Sequence, residues 1–261
     1  FKSKLFSTNI IEFIKQYDVI GIQETWDCDS DYCNKYFNEY TCFSCNAKKS
    51  CAGCRAMGGV TVLVKYNIAS YFKRVCDNFS FGVMLLIDKK LLSLDRDKIH
   101  QFIMINLSVM SALQQLEYHI ISNNLLDTAL ILCGDFNART ASLPDYTVCP
   151  DNIPELKEFS DIIDSDIGIE RISCDTKSNK FGRELLEFCK VLSCYIVNGR
   201  FGRYDRGAGF TFINQNGCSV IDYYIVTKDL FDIITLFEIK SCTESSHVPL
   251  SLTLKIKVIC P

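Results

Sequence analysis

Short apolar runs rich in β-branched residues recur along the chain: Val19–Ile22, Val60–Val64, Val83–Ile87, Phe102–Ile105, Leu130–Cys133, Cys194–Val197, Phe210–Ile213, Val220–Val226 and Leu250–Val258. Runs of this length, bounded by turn-forming residues, predict strands. Helical spacing of apolar positions appears in three places: Leu5, Phe6, Ile10, Ile11 and Ile14; Leu113, Leu116, His119, Ile120 and Leu125; and Leu185, Leu186, Phe188, Cys189 and Leu192. So many strands with so few helices between them do not make an alternating βαβ chain. They predict an α+β protein in which two sheets pack face to face with helices outside. Residues 27–56, polar and cysteine-rich, and 140–180, which carry Pro144, Pro150 and Pro154 among Asp and Ser, read as long loops. Loops of that length inside a compact domain are usually functional or mobile. No repeat or linker divides the chain, so residues 1–261 read as a single domain.

Composition narrows the picture. At 48% hydrophobic and 23% charged residues the chain falls among ordinary globular proteins, which excludes disordered and low-complexity classes. The balance of 28 basic against 31 acidic residues, a net charge of −3, argues against coating nucleic acid through bulk charge, so a polyanion would have to bind locally. No apolar run approaches the roughly 18 residues of a spanning helix, and no membrane association is expected. Fifteen cysteines, an odd number without a secretory signal, predict reduced thiols and a nuclear or cytoplasmic location. The first residues, Phe1-Lys2-Ser3-Lys4, contain neither an initiator methionine nor a signal sequence, and suggest a fragment of a larger polypeptide.

Candidate chemistry begins where two apolar strands end alike, each with an acid just past its carboxyl end: Val19-Ile-Gly-Ile-Gln-Glu24 and Leu130-Ile-Leu-Cys-Gly-Asp135-Phe-Asn137. Strand ends share a rim, Gly134 permits a sharp turn, and Asp135 and Asn137 face the same way if the backbone there stays extended. Carboxylate and amide oxygens suit a hard cation, Mg²⁺ or Mn²⁺. The plainer alternative is that Asp135 caps a turn and Glu24 is simply solvated. A second clue lies in Ser219-Val-Ile-Asp222-Tyr-Tyr, where a lone acid sits in an apolar strand and needs a partner. With only His100, His119 and His247 in the chain, Asp222 bonding His247 is the economical pairing, the carboxylate fixing the imidazole tautomer. Alone, His247 would read as structural, and His119 lies on an apolar helical face.

Two further features compete. Cys42-x₂-Cys45 followed by Cys51-x₂-Cys54 has the makings of a structural zinc site, but the spacing between the pairs is short for a zinc ribbon, and an incidental cluster in a variable loop is the preferred reading. Lys48, Lys49, Arg55, Arg139, Arg200, Arg203 and Arg206 would reconcile DNA binding with a net negative charge if they lined one rim; otherwise they are solvated loop residues.

Gln23-Glu24-Thr25, Gly58-Gly59-Val60, Gly134-Asp135-Phe136-Asn137, Ser219-Val-Ile-Asp222-Tyr223 and Ser245-Ser246-His247-Val-Pro249-Leu250 occur in the order of the endonuclease/exonuclease/phosphatase superfamily, which the chain resembles over nearly its whole length. Arg55-Ala-Met-Gly-Gly-Val60, Asn179-Lys-Phe-Gly-Arg-Glu-Leu-Leu186, Asn198-Gly199-Arg200 and Phe210-Thr211 look more narrowly like the endonuclease domain of non-LTR (LINE-type) retrotransposons. The resemblance implies a DNase I-like four-layer α/β/β/α sandwich. It implies Mg²⁺- or Mn²⁺-dependent hydrolysis of DNA phosphodiester bonds, nicking target DNA for integration beside a reverse transcriptase domain of the parent polypeptide. It makes Glu24 the metal-binding glutamate, Asp135 (also a metal ligand) and Asn137 the pair that orients nucleophile and phosphate, and Asp222 with His247 the catalytic dyad. Asn198, Arg200 and Thr211 become substrate-binding residues, with the planar fork of Arg200 favoured for a phosphate.

Three departures from the pattern are legible. The family's first strand, which carries a metal-binding asparagine, would precede the opening helix and is absent from this sequence. The aspartate expected immediately before the histidine is Ser246, and a tyrosine-containing turn is not visible in Leu107-Ser-Val-Met-Ser111. They imply weak or no cleavage, and leave open a catalytically degenerate binding module or a phosphatase of the same superfamily.

Overall fold

The computed structural model describes residues 8–26, 36–49, 51, 54, 56–75, 82–92, 100–105, 111–122, 128–147, 170–202, 208–241 and 245–256. The chain groups into two compact units, residues 1–136 with 254–261, and residues 137–253.

In the first unit β1 (Val19–Gln23) and β2 (Tyr40–Cys45) flank β3 (Val60–Lys65), both antiparallel to it. Val62, Leu63 and Val64 are fully buried. A strand that is buried on both faces must be covered on both, which is why Val62–Val64 reads as an unbroken hydrophobic run and even Thr61 is buried. A second sheet runs in the order β4 (Phe72–Arg74), β5 (Gly82–Ile87), β6 (His100–Ile105) and β7 (Ala129–Asp135). The two sheets pack face to face, β3 against β5 and β6 and β1 against β7, with Val83, Met84 and Leu85 fully buried.

The helix Thr8–Lys15 contributes Ile14, with Ile10 and Ile11, to a cluster with Ile22, Phe37, Tyr40 and Leu63. β6 and β7 are parallel, and parallel neighbours need a crossover; the helix Ser111–Ser122 supplies it and buries Leu113, Leu116 and Ile120.

In the second unit the helix Lys180–Val191 packs on β8 (Cys194–Ile196), which pairs antiparallel with β11 (Asp222–Thr227). Asn179 caps the helix, its side chain accepting from the Gly182 amide at 2.7 Å. A side chain at Gly182 would meet the Arg139 carbonyl at 1.8 Å, so only glycine permits this approach. β9 (Phe212–Asn214) and β10 (Gly217–Ser219) form a hairpin. A 3₁₀ turn (Lys228–Ile233) leads into β12 (Ile234–Ile239), which pairs with β13 (Leu250–Leu254).

The α+β class and each predicted helix and strand are present, with shifted ends. The expected loop 27–56 is corrected: it contains β2, whose register runs from Tyr40 opposite Lys65 to Cys45 opposite Val60. Its cysteines act as small apolar residues, and Cys42 packs against the Ile14 cluster. The default of reduced thiols has one exception among the described residues. Cys51 and Cys54 form a disulfide, brought together by a turn in which the Cys54 amide bonds the Cys51 carbonyl at 3.2 Å. Cys42 and Cys45 lie three apart on β2, so they point to opposite faces and do not form one zinc-binding pair. Among the described residues, no helix is long and apolar enough to cross a membrane.

Candidate active site

At the end of β1 the chain leaves the sheet through Glu24, Thr25 and Trp26. Glu24 and Trp26 both adopt left-handed backbone with φ of 51°, a costly conformation for non-glycine residues that neighbouring structure must enforce. The enforcement comes from Gly58 and Gly59. The Thr25 amide donates to the Gly59 carbonyl at 3.2 Å and the Trp26 amide to the Gly58 carbonyl at 3.0 Å. A Cβ on Gly59 would lie 2.3 Å from Thr25 Oγ1. Glu24 is exposed, and its Oε2 accepts from the Gly58 amide at 3.1 Å and the Trp26 indole Nε1 at 2.8 Å. Asp135 ends β7, and its amide donates to Gln23 Oε1 at 3.1 Å. The ends of β1 and β7 are thereby tied together at one rim of the first unit, as the shared strand endings suggested.

In the second unit His247 and Asp222 form the expected pair. Nδ1 of His247 lies 3.0 and 3.2 Å from the two carboxylate oxygens. The Asp222 side chain is 9% exposed and that of His247 39%. A carboxylate at Nδ1 selects the tautomer protonated there and makes Nε2 the ring nitrogen that exchanges a proton. Phe212 stands edge-on to the imidazole at 4.8 Å. The backbone fixes the histidine further: the Ile213 amide donates to the Ser246 carbonyl at 2.8 Å, the Val248 amide to the Thr211 carbonyl at 2.7 Å, and the His247 amide to Ser245 Oγ at 3.1 Å.

The residues expected to touch substrate do something else, and these expectations are corrected. Thr211 is fully buried, and its Oγ1 accepts from the amides of Ile221 and Asp222, both at 3.0 Å. Asn198, also buried, donates through Nδ2 to the Asp222 carbonyl at 3.1 Å and accepts from the Tyr224 amide at 3.0 Å. Together they hold Asp222 from both sides. Arg200 is spent on Asp145 through bonds of 2.6 and 2.7 Å, with both side chains out of solvent, so its fork is not presented to a phosphate. Arg139 is likewise corrected: it grips Asp175 at 2.8 and 2.6 Å. Lys48 and Lys49 are exposed, whereas Arg55, Arg203 and Arg206 lie outside the described residues, as does most of Leu107–Ser111.

Asn137 is exposed but left-handed, with φ of 50°, so the extended geometry that would align it with Asp135 does not hold. Its carbonyl is anchored by Asn179 Nδ2 at 3.1 Å. Tyr223, beside Asp222, bonds the carbonyls of Ala138 and Val220 at 2.8 and 2.7 Å, and burial pushes its phenol up to about 12. Sequence reasoning missed Trp26 as a partner of Glu24; the signal was the chain's single tryptophan two residues after the acid.

The model of the endonuclease/exonuclease/phosphatase family matches residues 2–234. No curated protein matches the chain. Among solved structures, the fold is similar to the endonuclease domain of TRAS1, a telomere-specific non-LTR retrotransposon (14% identity, 98% of this chain and 93% of that one, TM-score 0.58). It is similar as well to the catalytic domain of Xenopus laevis APE2 (13%, 95% and 87%, TM-score 0.61) and to a 3′-5′ exonuclease, NExo, of Neisseria meningitidis (12%, 97% and 95%, TM-score 0.59). The shared fold is DNase I-like.

Proposed function

Because the chain belongs to the endonuclease/exonuclease/phosphatase family, we propose that it hydrolyses DNA phosphodiester bonds with a divalent cation, as an endonuclease domain that nicks target DNA for retrotransposon integration. The observation that carries the hydrolytic reading is the Asp222–His247 pair, oriented from the backbone by Thr211 and Asn198. The retrotransposon role rests on the sequence words shared with such domains and on the fold shared with TRAS1. A reverse transcriptase domain in the parent polypeptide would use the exposed 3′ hydroxyl.

The donor chemistry at the first unit's rim fits a hard cation: Glu24 and Asp135 offer carboxylate oxygens at strand ends tied by the Gln23–Asp135 bond. Mg²⁺ or Mn²⁺ held by them would supply Lewis-acid neutralisation of phosphoryl charge. Asp135 orients the attacking water and accepts its proton, and Asn137 contributes its amide to the phosphate. The new P–O bond forms as the bond to the 3′ oxygen breaks, and the departing 3′ oxygen takes a proton from solvent to become the 3′ hydroxyl. His247, kept in register by Asp222, hydrogen-bonds the charge that builds on the phosphoryl oxygens.

Supercoiled plasmid tests this. Mg²⁺-dependent conversion to open circle, abolished by chelation and by His247→Ala, supports the proposal. Ser246 favours a second reading, a binding module: the side chain before His247 is an exposed hydroxyl where the family pattern has a carboxylate. DNA binding without nicking supports that reading, and phosphate release from a small phosphorylated substrate indicates a phosphatase instead.

A further inference from the structure

The Glu24 carboxylate is addressed by N–H groups from two directions, and one comes from a side chain that the motif pattern leaves without a role. Trp26 Nε1 and the Gly58 amide both donate to Oε2, at 2.8 and 3.1 Å. The indole can reach back across Thr25 because Glu24 and Trp26 both sit at φ of 51°, which folds the segment onto itself. That fold is held in turn by the Trp26 amide on the Gly58 carbonyl. Trp26 remains 37% exposed. A large apolar residue kept half in water, on strained backbone, with its only polar atom on a carboxylate, is poorly explained by core packing.

We propose that Trp26 is a positioning residue for Glu24: its indole N–H orients the carboxylate for a hard divalent cation, and its emission reports the cation's arrival. The inference rests on the reading of Glu24 as a cation ligand given above. An oxygen already turned by two donors loses less freedom on binding than a freely rotating carboxylate, and partners that orient metal ligands are typically worth about 10- to 100-fold in metal affinity. A cation drawn to the carboxylate also withdraws electron density from Oε2, which weakens the hydrogen bond from the indole. Trp26 is the sole tryptophan of the chain, so its fluorescence reads that bond without interference.

The test titrates the full chain with MgCl₂ while Trp26 emission is followed, and measures cation binding separately by calorimetry. A saturable emission change whose midpoint matches the calorimetric one is expected, and Glu24→Gln should abolish it. Trp26→Phe should weaken Mg²⁺ binding by about 10-fold or more and raise the Mg²⁺ needed for half-maximal nicking, with the rate at saturating Mg²⁺ nearly preserved. Trp26→His, which retains a ring N–H, should recover part of the affinity, and an unchanged circular dichroism melt separates this effect from misfolding. If the wild-type chain binds Mg²⁺ and Trp26→Phe binds it equally well, the positioning role is overturned while the hydrolase reading stands. If the wild-type chain binds no divalent cation, the metal-dependent reading itself fails.

Discussion

The Arg200 guanidinium closes onto the Asp145 carboxylate at 2.6 and 2.7 Å with both side chains almost wholly buried, and it also donates to the Ile196 carbonyl at 2.6 Å. Asp145 in turn accepts from the Ile196 amide at 2.8 Å, so the pair locks residues 145, 196 and 200 together. Removing one partner of a buried ion pair leaves an uncompensated charge, typically costing about 3–5 kcal/mol. Arg200→Ala is expected to lower unfolding stability by that order in urea titration. Arg200→Lys should recover little, because a single ammonium cannot make the forked contact. A phosphate-binding Arg200 would behave in the opposite way, with unchanged stability and a reduced salt dependence of DNA binding.

The same residue marks the boundary of what the sequence discloses. Apolar periodicity located β1, β3, β5, β6, β7, β8, β11 and the helices, because burial writes itself into residue type at each position. The Asp222–His247 pairing was legible too, since an acid in an apolar strand demands a partner and the chain holds few histidines. Arg200, Asn198 and Thr211 were assigned to the DNA because polar residues in a familiar word look like contacts. Whether a polar group faces solvent or satisfies a buried amide depends on tertiary neighbours tens of residues away, such as Asp145 for Arg200. β2 escaped because its cysteines and threonine do not read as apolar, and Trp26 because left-handed backbone at Glu24 has no signature in residue type.

Thr211 offers the sharpest separation of architecture from chemistry. Its hydroxyl oxygen accepts the amides of both Ile221 and Asp222. Thr211→Val keeps the shape and orphans two buried donors, each worth about 1–3 kcal/mol. Thr211→Ser keeps the acceptor and should be far milder. Nicking by Thr211→Val should fall more than loss of folded protein accounts for, because Asp222 would no longer be held against His247. Circular dichroism melts alongside single-turnover nicking rates check this, and equal effects of Val and Ser would refute it.

Acid should expose the Asp175 network. Burial alone pushes this carboxyl up, but hydrogen bonds from Arg139 and from the amides of Lys177 and Val220 more than offset it and hold the group below its ordinary range. Its folded pKa therefore lies under the unfolded value of about 3.9. The stability it contributes is present in full above that value and is lost as pH falls through the folded pKa, since only the unfolded chain takes up the proton there. Asp175→Asn should lower stability at neutral pH and flatten the decline between about pH 5 and the folded pKa. Urea midpoints at a series of pH values measure both, and an acid limb as steep as that of the wild type would exclude Asp175 as its source.

Ser246 is the position at which function should be gained by substitution. Its carbonyl accepts the Ile213 amide and so helps fix His247, while its side chain is exposed. Both facts favour tolerance: Ser246→Asp keeps the backbone bond and places the new carboxylate in water, so stability should change by less than about 0.5 kcal/mol. A carboxylate beside the imidazole restores a charge that a hydroxyl cannot carry and favours the imidazolium, the form best suited to stabilise phosphoryl oxygens. By analogy with other groups that act on transition-state charge, the recoverable factor is on the order of 10²-fold at most. We expect Ser246→Asp to raise Mg²⁺-dependent nicking at least about tenfold and to shift the basic limb of its pH profile upward. His247→Ala in the same background should erase the gain. A stable Ser246→Asp variant that binds DNA and nicks no faster than the wild-type chain would mean that this position does not limit the reaction.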